Sequence, residues 1–185
     1  MKKLIALFVV VFLLCGCQST DGDMNEVLKL RQKVTASEKV TFDGIITADY
    51  GDMLHSFGVS CKMENAQLHF TVTSPESIAG ITGYFDGQGG KLTFSDQVLA
   101  FPLLAEGQLS PVSAPWLFLQ TLRGGYLVSS GEDGDLIRIC IDESYEENVL
   151  RADIWTDLEY NPVRCDFLWS GRRILSMEIE NFSCL

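Results

Sequence analysis

Most of the chain has a hydrophobic pattern with a period of two residues, which is typical of β-strands. Residues 67–73 show it most clearly, because Leu68, Phe70 and Val72 alternate with polar side chains. Turn residues such as glycine, asparagine and aspartate separate the successive runs. The pattern predicts about ten or eleven strands, over residues 38–50, 53–63, 67–73, 80–86, 91–95, 97–101, 126–129, 136–142, 149–156, 163–170 and 174–181.

Two segments depart from this pattern and predict helices. Residues 23–33 begin with an aspartate that can cap a helix and carry a partial apolar stripe that includes Leu28. Residues 113–123 open with Ser113 as a cap and an early proline, and two glycines follow them. This second segment is apolar nearly all round, which indicates burial on more than one side. The elements together predict a mainly β (α+β) domain with one large curved antiparallel sheet or barrel.

The first twenty residues have a different character. Lys2 and Lys3 precede the eleven apolar residues LIALFVVVFLL, and the chain turns polar after Cys17. A charged start, a short apolar stretch and small residues at the cut are the features of a secretory signal peptide. The apolar stretch is shorter than the roughly 20 residues that a membrane-spanning helix needs. The string LCGC at residues 14–17 resembles the bacterial lipobox, which implies a diacylglyceryl lipid on Cys17.

The chain therefore divides into three parts. Residues 1–16 are predicted to be a lipoprotein signal peptide, residues 17–22 the lipidated cysteine and a short tether, and residues 23–185 a single folded domain. A tether of this length reaches at most roughly 20 Å, so we expect the domain to lie close to the extracytoplasmic face of the cell membrane. An ordinary cleaved signal peptide with a released product is the alternative.

The net charge of the chain limits the kinds of partner that we expect it to bind. The chain has 14 basic and 25 acidic residues and a net charge of −11. This charge argues against nucleic acid as a partner and against broad electrostatic binding to anionic lipid.

The four cysteines that follow residue 17 show no metal or redox motif. Cys61, Cys140, Cys165 and Cys184 are widely spaced and form neither a CxxC pair nor a zinc-ligand set. Because Cys61 and Cys165 are in phase with apolar neighbours, we expect buried thiols there. One disulfide with unassigned partners is the alternative.

No catalytic motif is evident in the sequence. His69 falls on the polar face of its predicted strand, and His55 lies near a turn, where we expect partial burial. No nucleophile elbow, calcium loop or phosphate-binding glycine loop accompanies them. We expect neither enzyme activity nor a cofactor nor a metal. The acidic residues are interpreted as solvated turn charges, in three groups: 132, 133 and 135; 142, 143, 146 and 147; and 153, 157 and 159.

The order of the elements resembles a known family in five stretches. These are residues 25–31 (a first helix), 41–63 (a long hairpin), 68–94 (a strand, a proline turn and a glycine-bearing strand), 111–125 (PVSAPWLFLQTLRGG, an internal helix) and 155–182 (a terminal hairpin with Asn-Pro). This order resembles the LolA/LolB-like lipoprotein-carrier superfamily. Pro75, Gly80-Ile81 and Asn181-Phe182 resemble most the Gram-positive spore-former lipoproteins of the GerS type. The resemblance implies an unclosed half barrel with both helices against its concave face.

Two functions are consistent with these observations, and a structural scaffold with neither a ligand nor a dedicated partner is a third possibility. The first is a membrane-anchored, non-catalytic interaction module that holds an envelope or cell-wall protein. The second is the binding or carrying of a lipid or acyl ligand on the concave face. The apolar side chains that we predict for such a ligand face are Phe57, Val59, Phe70, Val72, Phe94, Trp116, Leu119, Phe167 and Trp169. The first hypothesis is preferred, because the resembled subgroup occurs in organisms without an outer membrane.

Overall fold

The computed structural model describes residues 21–49, 51, 53–94, 97–101, 104–105, 108–145 and 149–185. Its main sheet has 11 strands, which are β1 Lys39–Asp49, β2 Leu54–Glu64, β3 Gln67–Ser74, β4 Thr82–Asp86, β5 Gly89–Phe94, β6 Gln97–Phe101, β9 Tyr126–Asp133, β10 Leu136–Asp142, β11 Leu150–Thr156, β12 Pro162–Trp169 and β13 Arg172–Cys184. The order of the strands across the sheet is β6-β5-β4-β3-β2-β1-β13-β12-β11-β10-β9, and all neighbours are antiparallel.

The chain builds this sheet in two halves that meet at its centre. Strands β1 to β6 run outward to one edge, and β9 to β13 run inward from the other edge until β13 pairs with β1. Between the halves lie β7 (Leu104–Ala105) and β8 (Gln108–Leu109), a small hairpin that the sequence pattern did not predict. Because β6 and β9 do not pair with each other, the sheet is open, as the predicted half barrel requires.

Two α-helices pack on the concave face of the sheet. Helix α1 (Asp21–Ala36) is longer at both ends than the predicted helix, and α2 (Ala114–Gly124) follows a short 3-10 turn over Pro111–Ser113. The buried residues of α1 are Val27, Leu30 and Val34, whereas Leu28 is 48% exposed, so the predicted stripe is wrong at Leu28. These buried residues are three and four positions apart and therefore share one face of the helix, and Leu28 does not lie on that face.

The start and the end of α2 differ in detail from the prediction. Ser113 is at the N-cap position but makes no capping hydrogen bond; its hydroxyl donates to the carbonyl of Ser110 at 2.6 Å. A 3-10 turn directly precedes the helix and gives Ser113 helical backbone angles, which point the hydroxyl back along the chain. The helix ends at Gly124 as predicted, and Gly125 continues in an extended conformation rather than a left-handed one.

Gly125 is required by close packing. A Cβ atom at this position would lie 2.5 Å from Cγ2 of Ile141, 2.8 Å from the carbonyl oxygen of Thr121 and 3.0 Å from that of Asp142. The chain therefore passes from α2 into the edge strand β9 directly against β10. This passage brings the end of α2 next to one edge of the sheet.

Candidate functional site

The concave face contains most of the predicted ligand-face residues, and most of them are buried. Phe57 is partly buried against the core. The fully buried members of the predicted set are Val59, Phe70, Val72, Trp116, Leu119 and Phe167. They belong to the hydrophobic core, where the sheet and α2 contact each other.

Aromatic contacts show how α2 fills the centre of this face. The ring of Phe118 lies 5.6 Å from that of Phe42 in an edge-to-face arrangement. The ring of Trp116 lies 6.3 Å from that of Phe85, which in turn stacks on Phe70 at 5.6 Å. Such distances are those of well-packed aromatic pairs. In the described part of the chain, the centre of the concave face is therefore occupied by the protein's own helix.

Phe94 and Trp169 depart from the prediction that they line a covered apolar face. Phe94 is 56% exposed and Trp169 is 48% exposed. Each is the last residue of its strand, β5 and β12 respectively. The period-two pattern assigns a side chain to a face of the sheet, but it does not show how far along the strand a covering helix extends.

The convex face has a polar cluster that the sequence pattern missed. Asp153 of β11 and Asp166 of β12 are direct cross-strand partners and are only 2% and 5% exposed. Asp153 was interpreted as a solvated turn charge, and this is wrong because it lies within β11, is buried and forms an ion pair with Arg138. Like charges directly opposite each other repel, so this pair depends on cations around it.

Arginines from three strands neutralise the two carboxylates. Arg138 donates to Asp153. Asp166 accepts hydrogen bonds from Arg164 at 3.0 and 2.5 Å, from Arg173 at 3.3 Å and from the hydroxyl of Ser176 at 2.7 Å. Burial alone would raise the pKa of Asp166, but these hydrogen bonds hold it below its ordinary value. Asp166 is therefore ionised and fully bonded.

Trp155 lies between two of these arginines. The guanidinium carbon of Arg164 is 4.6 Å from the centre of its ring, and that of Arg138 is 5.4 Å away. The indole N–H donates to Asp133 at 2.8 Å. Cation–π contacts of this kind contribute about 0.5–1 kcal/mol each at exposed sites. We call Arg138, Asp153, Trp155, Arg164 and Asp166 the Arg–Trp cluster.

The cluster has a clear origin in the strand register. Arg138, Trp155 and Arg164 are successive partners across β10, β11 and β12, and Asp153 and Asp166 are partners in the next row. Five of the seven arginines in the chain lie on β10 to β13. The alternation within residues 149–156 and 163–170 was visible in the sequence, and it places these side chains on the outer face. The register that brings them together was not visible.

Neither histidine of the described domain is buried. His55 and His69 are both exposed, as expected for His69 and contrary to the partial burial considered for His55. His55 extends from the start of β2, at the end of the sheet. The described residues contain no group of three histidine, cysteine, aspartate or glutamate side chains that could hold a metal. Cys17, the predicted lipid anchor, lies outside the described residues.

The four cysteines of the domain are free thiols. Cys61 and Cys165 are buried, as their phase with apolar neighbours predicted, and Cys140 and Cys184 are partly buried. Burial raises the pKa of both Cys61 and Cys165. These two thiols therefore act as small apolar core residues.

No helix within the described residues has the length and apolar character needed to span a membrane.

No protein-family model matches the chain, and no curated protein sequence matches it. Among solved structures, a conserved protein from Thermus thermophilus aligns at 10% identity and a TM-score of 0.49, covering 88% of this chain and 87% of the other. A LolA superfamily protein from Nitrosomonas europaea aligns at 12% identity and a TM-score of 0.47, covering 88% and 93%. The complex of the CwlD amidase with the GerS lipoprotein from Clostridioides difficile aligns at 10% identity and 0.43, covering 91% and 98%.

The fold assignment depends on the structure of the chain itself, which is a single open antiparallel sheet with an N-terminal helix and an internal helix. That is the architecture that the LolA/LolB-like resemblance implied, and the predicted fold class is confirmed.

Proposed function

We propose that this chain is a lipid-anchored, extracytoplasmic interaction module that holds an envelope or cell-wall protein without catalysing a reaction. In this proposal the lipid on Cys17 keeps the domain at the membrane, and the Arg–Trp cluster contacts the partner. The single observation that carries the proposal is the fixed position of Trp155 between Arg138 and Arg164 on the outer face.

The composition of the cluster supports a protein partner. Tryptophan and arginine are the residue types most enriched among those that dominate binding energy at protein interfaces. Here both are held in place before binding, since Asp153 and Asp166 fix the arginines and Asp133 fixes the indole. Side chains that are already ordered lose less conformational entropy on association. The cluster is thus suited to binding a partner surface with little rearrangement.

The concave face supports the same choice by contrast. Its centre is filled by Trp116, Phe118 and Leu119 of α2, which are buried against the sheet. A lipid in that position would have to displace the internal helix. The outer face requires no such displacement.

The proposal is tested by replacing Trp155 with alanine in the organism that produces the protein. Full-length chain carrying Trp155→Ala is expressed in place of the wild type, and proteins that co-purify with it from solubilised membranes are quantified by mass spectrometry. We expect one specific envelope protein to fall about tenfold, the effect of losing about 1.4 kcal/mol at an interface.

Tyr84→Ala is the matched control. Tyr84 is also an outer-face aromatic residue beside a cation, because Lys91 lies 5.3 Å from its ring centre, but it is on the other half of the sheet. Recovery of the partner should be unchanged in this variant. Equal recovery from wild type and Trp155→Ala, or an equal loss in both variants, would contradict the assignment of the partner surface.

A second function, the binding of an acyl ligand, has one observation in its favour. Leu99 of β6 is 63% exposed and is paired with Leu92, which is paired with Gly83 and then with buried Phe70. An apolar strip therefore continues from the concave core towards the β6 edge. Native mass spectrometry of the full chain tests this function: a non-covalent lipid adduct that Leu99→Ser removes would support it, and the absence of any adduct would exclude it.

A further inference from the structure

An open cavity of about 460 Å³ lies at the β9 edge of the sheet. Its walls are formed by Arg31 of α1, by Gly125 after α2, by the first residues of β9, and by four described residues near the ends of β10 and β11, which are Asp142, Ser144, Tyr145 and Val149. None of the residues of the Arg–Trp cluster lines it. Its size is within the range of sites that hold small ligands or peptide ends, roughly 300–1,000 Å³.

Arg31 supplies the positive charge of this cavity. Its Nε donates to the carbonyl oxygen of Leu122 at 2.8 Å, while its Nη2 is buried and makes no hydrogen bond with the described residues. Within the described residues no carboxylate forms an ion pair with Arg31. Burial lowers the pKa of the Arg31 guanidinium. Among the described residues, the guanidinium thus has no counter-ion for the hydration that it has lost, and such a cation is stabilised by an anion that enters beside it.

The carboxylate that lines the cavity does not supply that counter-ion. Asp142 accepts two hydrogen bonds from Arg151, from Nε at 2.7 Å and from Nη2 at 3.1 Å. This bidentate geometry matches the charge of Asp142 with that of Arg151. Among the residues that line the cavity, Arg31 is therefore the charge that remains to be matched.

The rest of the cavity has the character of a peptide site. The rings of Tyr126 and Tyr145 are in contact, with 3.6 Å between their centres, and Tyr145 is 83% exposed. Strand β9 is the last strand of the sheet on this side, and Val128 stands at a register shift between β9 and β10 and is 49% exposed. An edge strand offers backbone hydrogen-bonding groups to an added strand, and neighbouring pockets receive its side chains.

We propose that this cavity binds the C-terminal carboxylate of an extended peptide that pairs with β9. Arg31 donates a charge-assisted hydrogen bond to the carboxylate, and the last side chains of the peptide pack against Tyr126 and Tyr145. A peptide is the occupant because the strand edge offers it backbone partners, whereas a sugar acid or a fatty acid would use only the cation and the rings.

Fluorescence anisotropy with the full-length chain in detergent micelles tests the proposal. The probe is a fluorescein-labelled hexapeptide, Gly-Ser-Thr-Val-Thr-Val, prepared with a free carboxylate and, separately, with a C-terminal amide. We expect the free acid to bind about tenfold or more tightly than the amide, as for the gain of one charge-assisted hydrogen bond. Equal affinity of the two probes, or no binding of either, would overturn the proposal.

Arg123 provides a matched control for Arg31. It too is a partly buried arginine that donates to a helix carbonyl, that of Val34 at 3.2 Å, and burial lowers its pKa as well, but it does not line the cavity. Arg31→Gln should abolish the difference between acid and amide, and Arg123→Gln should keep it. Loss of the difference in both variants would mean that the arginines act only through the packing of the helices, and would refute the site.

A second variant keeps the test independent of helix packing. Tyr145 is mostly exposed, so Tyr145→Ala leaves the core intact, and we expect it to weaken the binding of both probes about threefold to tenfold. Unchanged binding in Tyr145→Ala would contradict the proposed position of the peptide. Displacement of the free-acid probe by an equal concentration of glucuronate would identify a sugar acid as the occupant and overturn the peptide assignment.

Discussion

Arg31 and Arg123 connect the two helices by donating hydrogen bonds in opposite directions. Arg31 of α1 donates to the last turn of α2, at Leu122, and Arg123 of α2 donates to the last turn of α1, at Val34. Positive side chains interact favourably with the carbonyl end of a helix, and each bond satisfies a carbonyl that the helix itself leaves open. The two helix ends are thereby fixed together against the sheet.

This relationship predicts a measurable loss of stability. Arg123→Ala should lower the free energy of unfolding by about 2 kcal/mol, because it removes a charge-assisted hydrogen bond from a partly buried helix end. Lys29→Ala is the control on α1, since Lys29 forms an exposed ion pair with Glu26 and its substitution should change stability by less than about 0.5 kcal/mol. Urea unfolding measures both values. Similar effects of the two substitutions would show that the Arg123 hydrogen bond contributes no more to stability than an exposed ion pair does.

Adjacent glycines at the end of α2 should respond oppositely to alanine. At Gly125 a Cβ atom would lie 2.5 Å from Ile141, so Gly125→Ala should destabilise the domain by about 1–3 kcal/mol. At Gly124 no atom lies within 4 Å of the added Cβ and the residue is helical, so Gly124→Ala should be neutral or stabilising by up to about 1 kcal/mol. Thermal unfolding measures the stability of the two variants relative to the wild type. A Gly125→Ala protein as stable as the wild type would contradict the close packing of the chain where it passes from α2 into β9.

Asp166 should make the stability depend on acid pH. Its folded pKa is lowered, so its contribution is complete above the unfolded pKa of about 3.9 and is lost as the pH falls through the lower, folded value. Asp166→Asn should cost about 3 kcal/mol at pH 7, because Arg164 and Arg173 lose their shared carboxylate. The difference between wild type and variant should shrink below pH 4.

Unfolding free energies measured between pH 7 and pH 2.5 test this pH dependence. Asp135→Asn is the control, because Asp135 is an exposed turn residue and its substitution should change the free energy of unfolding by less than about 0.5 kcal/mol. A difference between wild type and Asp166→Asn that stays constant over the whole range would show that Asp166 does not contribute through its charge.

The proposed anchor is tested by changing one sulfur to oxygen. Cys17→Ser should leave an unprocessed precursor or a protein released from the membrane, because acyl chains are the only strong hold that the proposal assigns to the domain. Cys15→Ser is the matched control and should be processed and retained normally. Electrophoretic mobility reports the processing, and membrane fractionation reports the retention. Unchanged processing and retention of Cys17→Ser would contradict the proposed lipid anchor.

The sequence was informative where one face of an element is buried. The alternation of Leu68, Phe70 and Val72 with polar residues located β3 correctly, because a strand with one buried face requires that period. The apolar character of α2 nearly all round likewise predicted its burial on more than one side, and most of its residues are buried. The prediction of about ten or eleven strands followed from repeating this reasoning along the chain, whereas the open sheet was implied only by the LolA/LolB-like resemblance.

The sequence was less informative about groups that depend on register. Asp153 was interpreted as a turn charge because its neighbours along the chain do not show that Asp166 and Arg138 lie beside it across the strands. Phe94 and Trp169 were assigned to a covered face although each lies at the end of a strand. Both errors have one cause: pairing between distant segments decides which polar groups meet and where the covering helix ends.

The most direct test of the proposed function is photo-crosslinking from the outer face in intact cells. A photoreactive phenylalanine analogue is placed at position 155 in one strain and at position 84, on the other half of the sheet, in a second strain. The account predicts that the same envelope protein is cross-linked from position 155 and is absent, or at least about tenfold weaker, from position 84. Equal cross-linking from the two positions, or none from position 155 while position 84 captures a partner, would contradict the assignment of the Arg–Trp cluster as the partner surface.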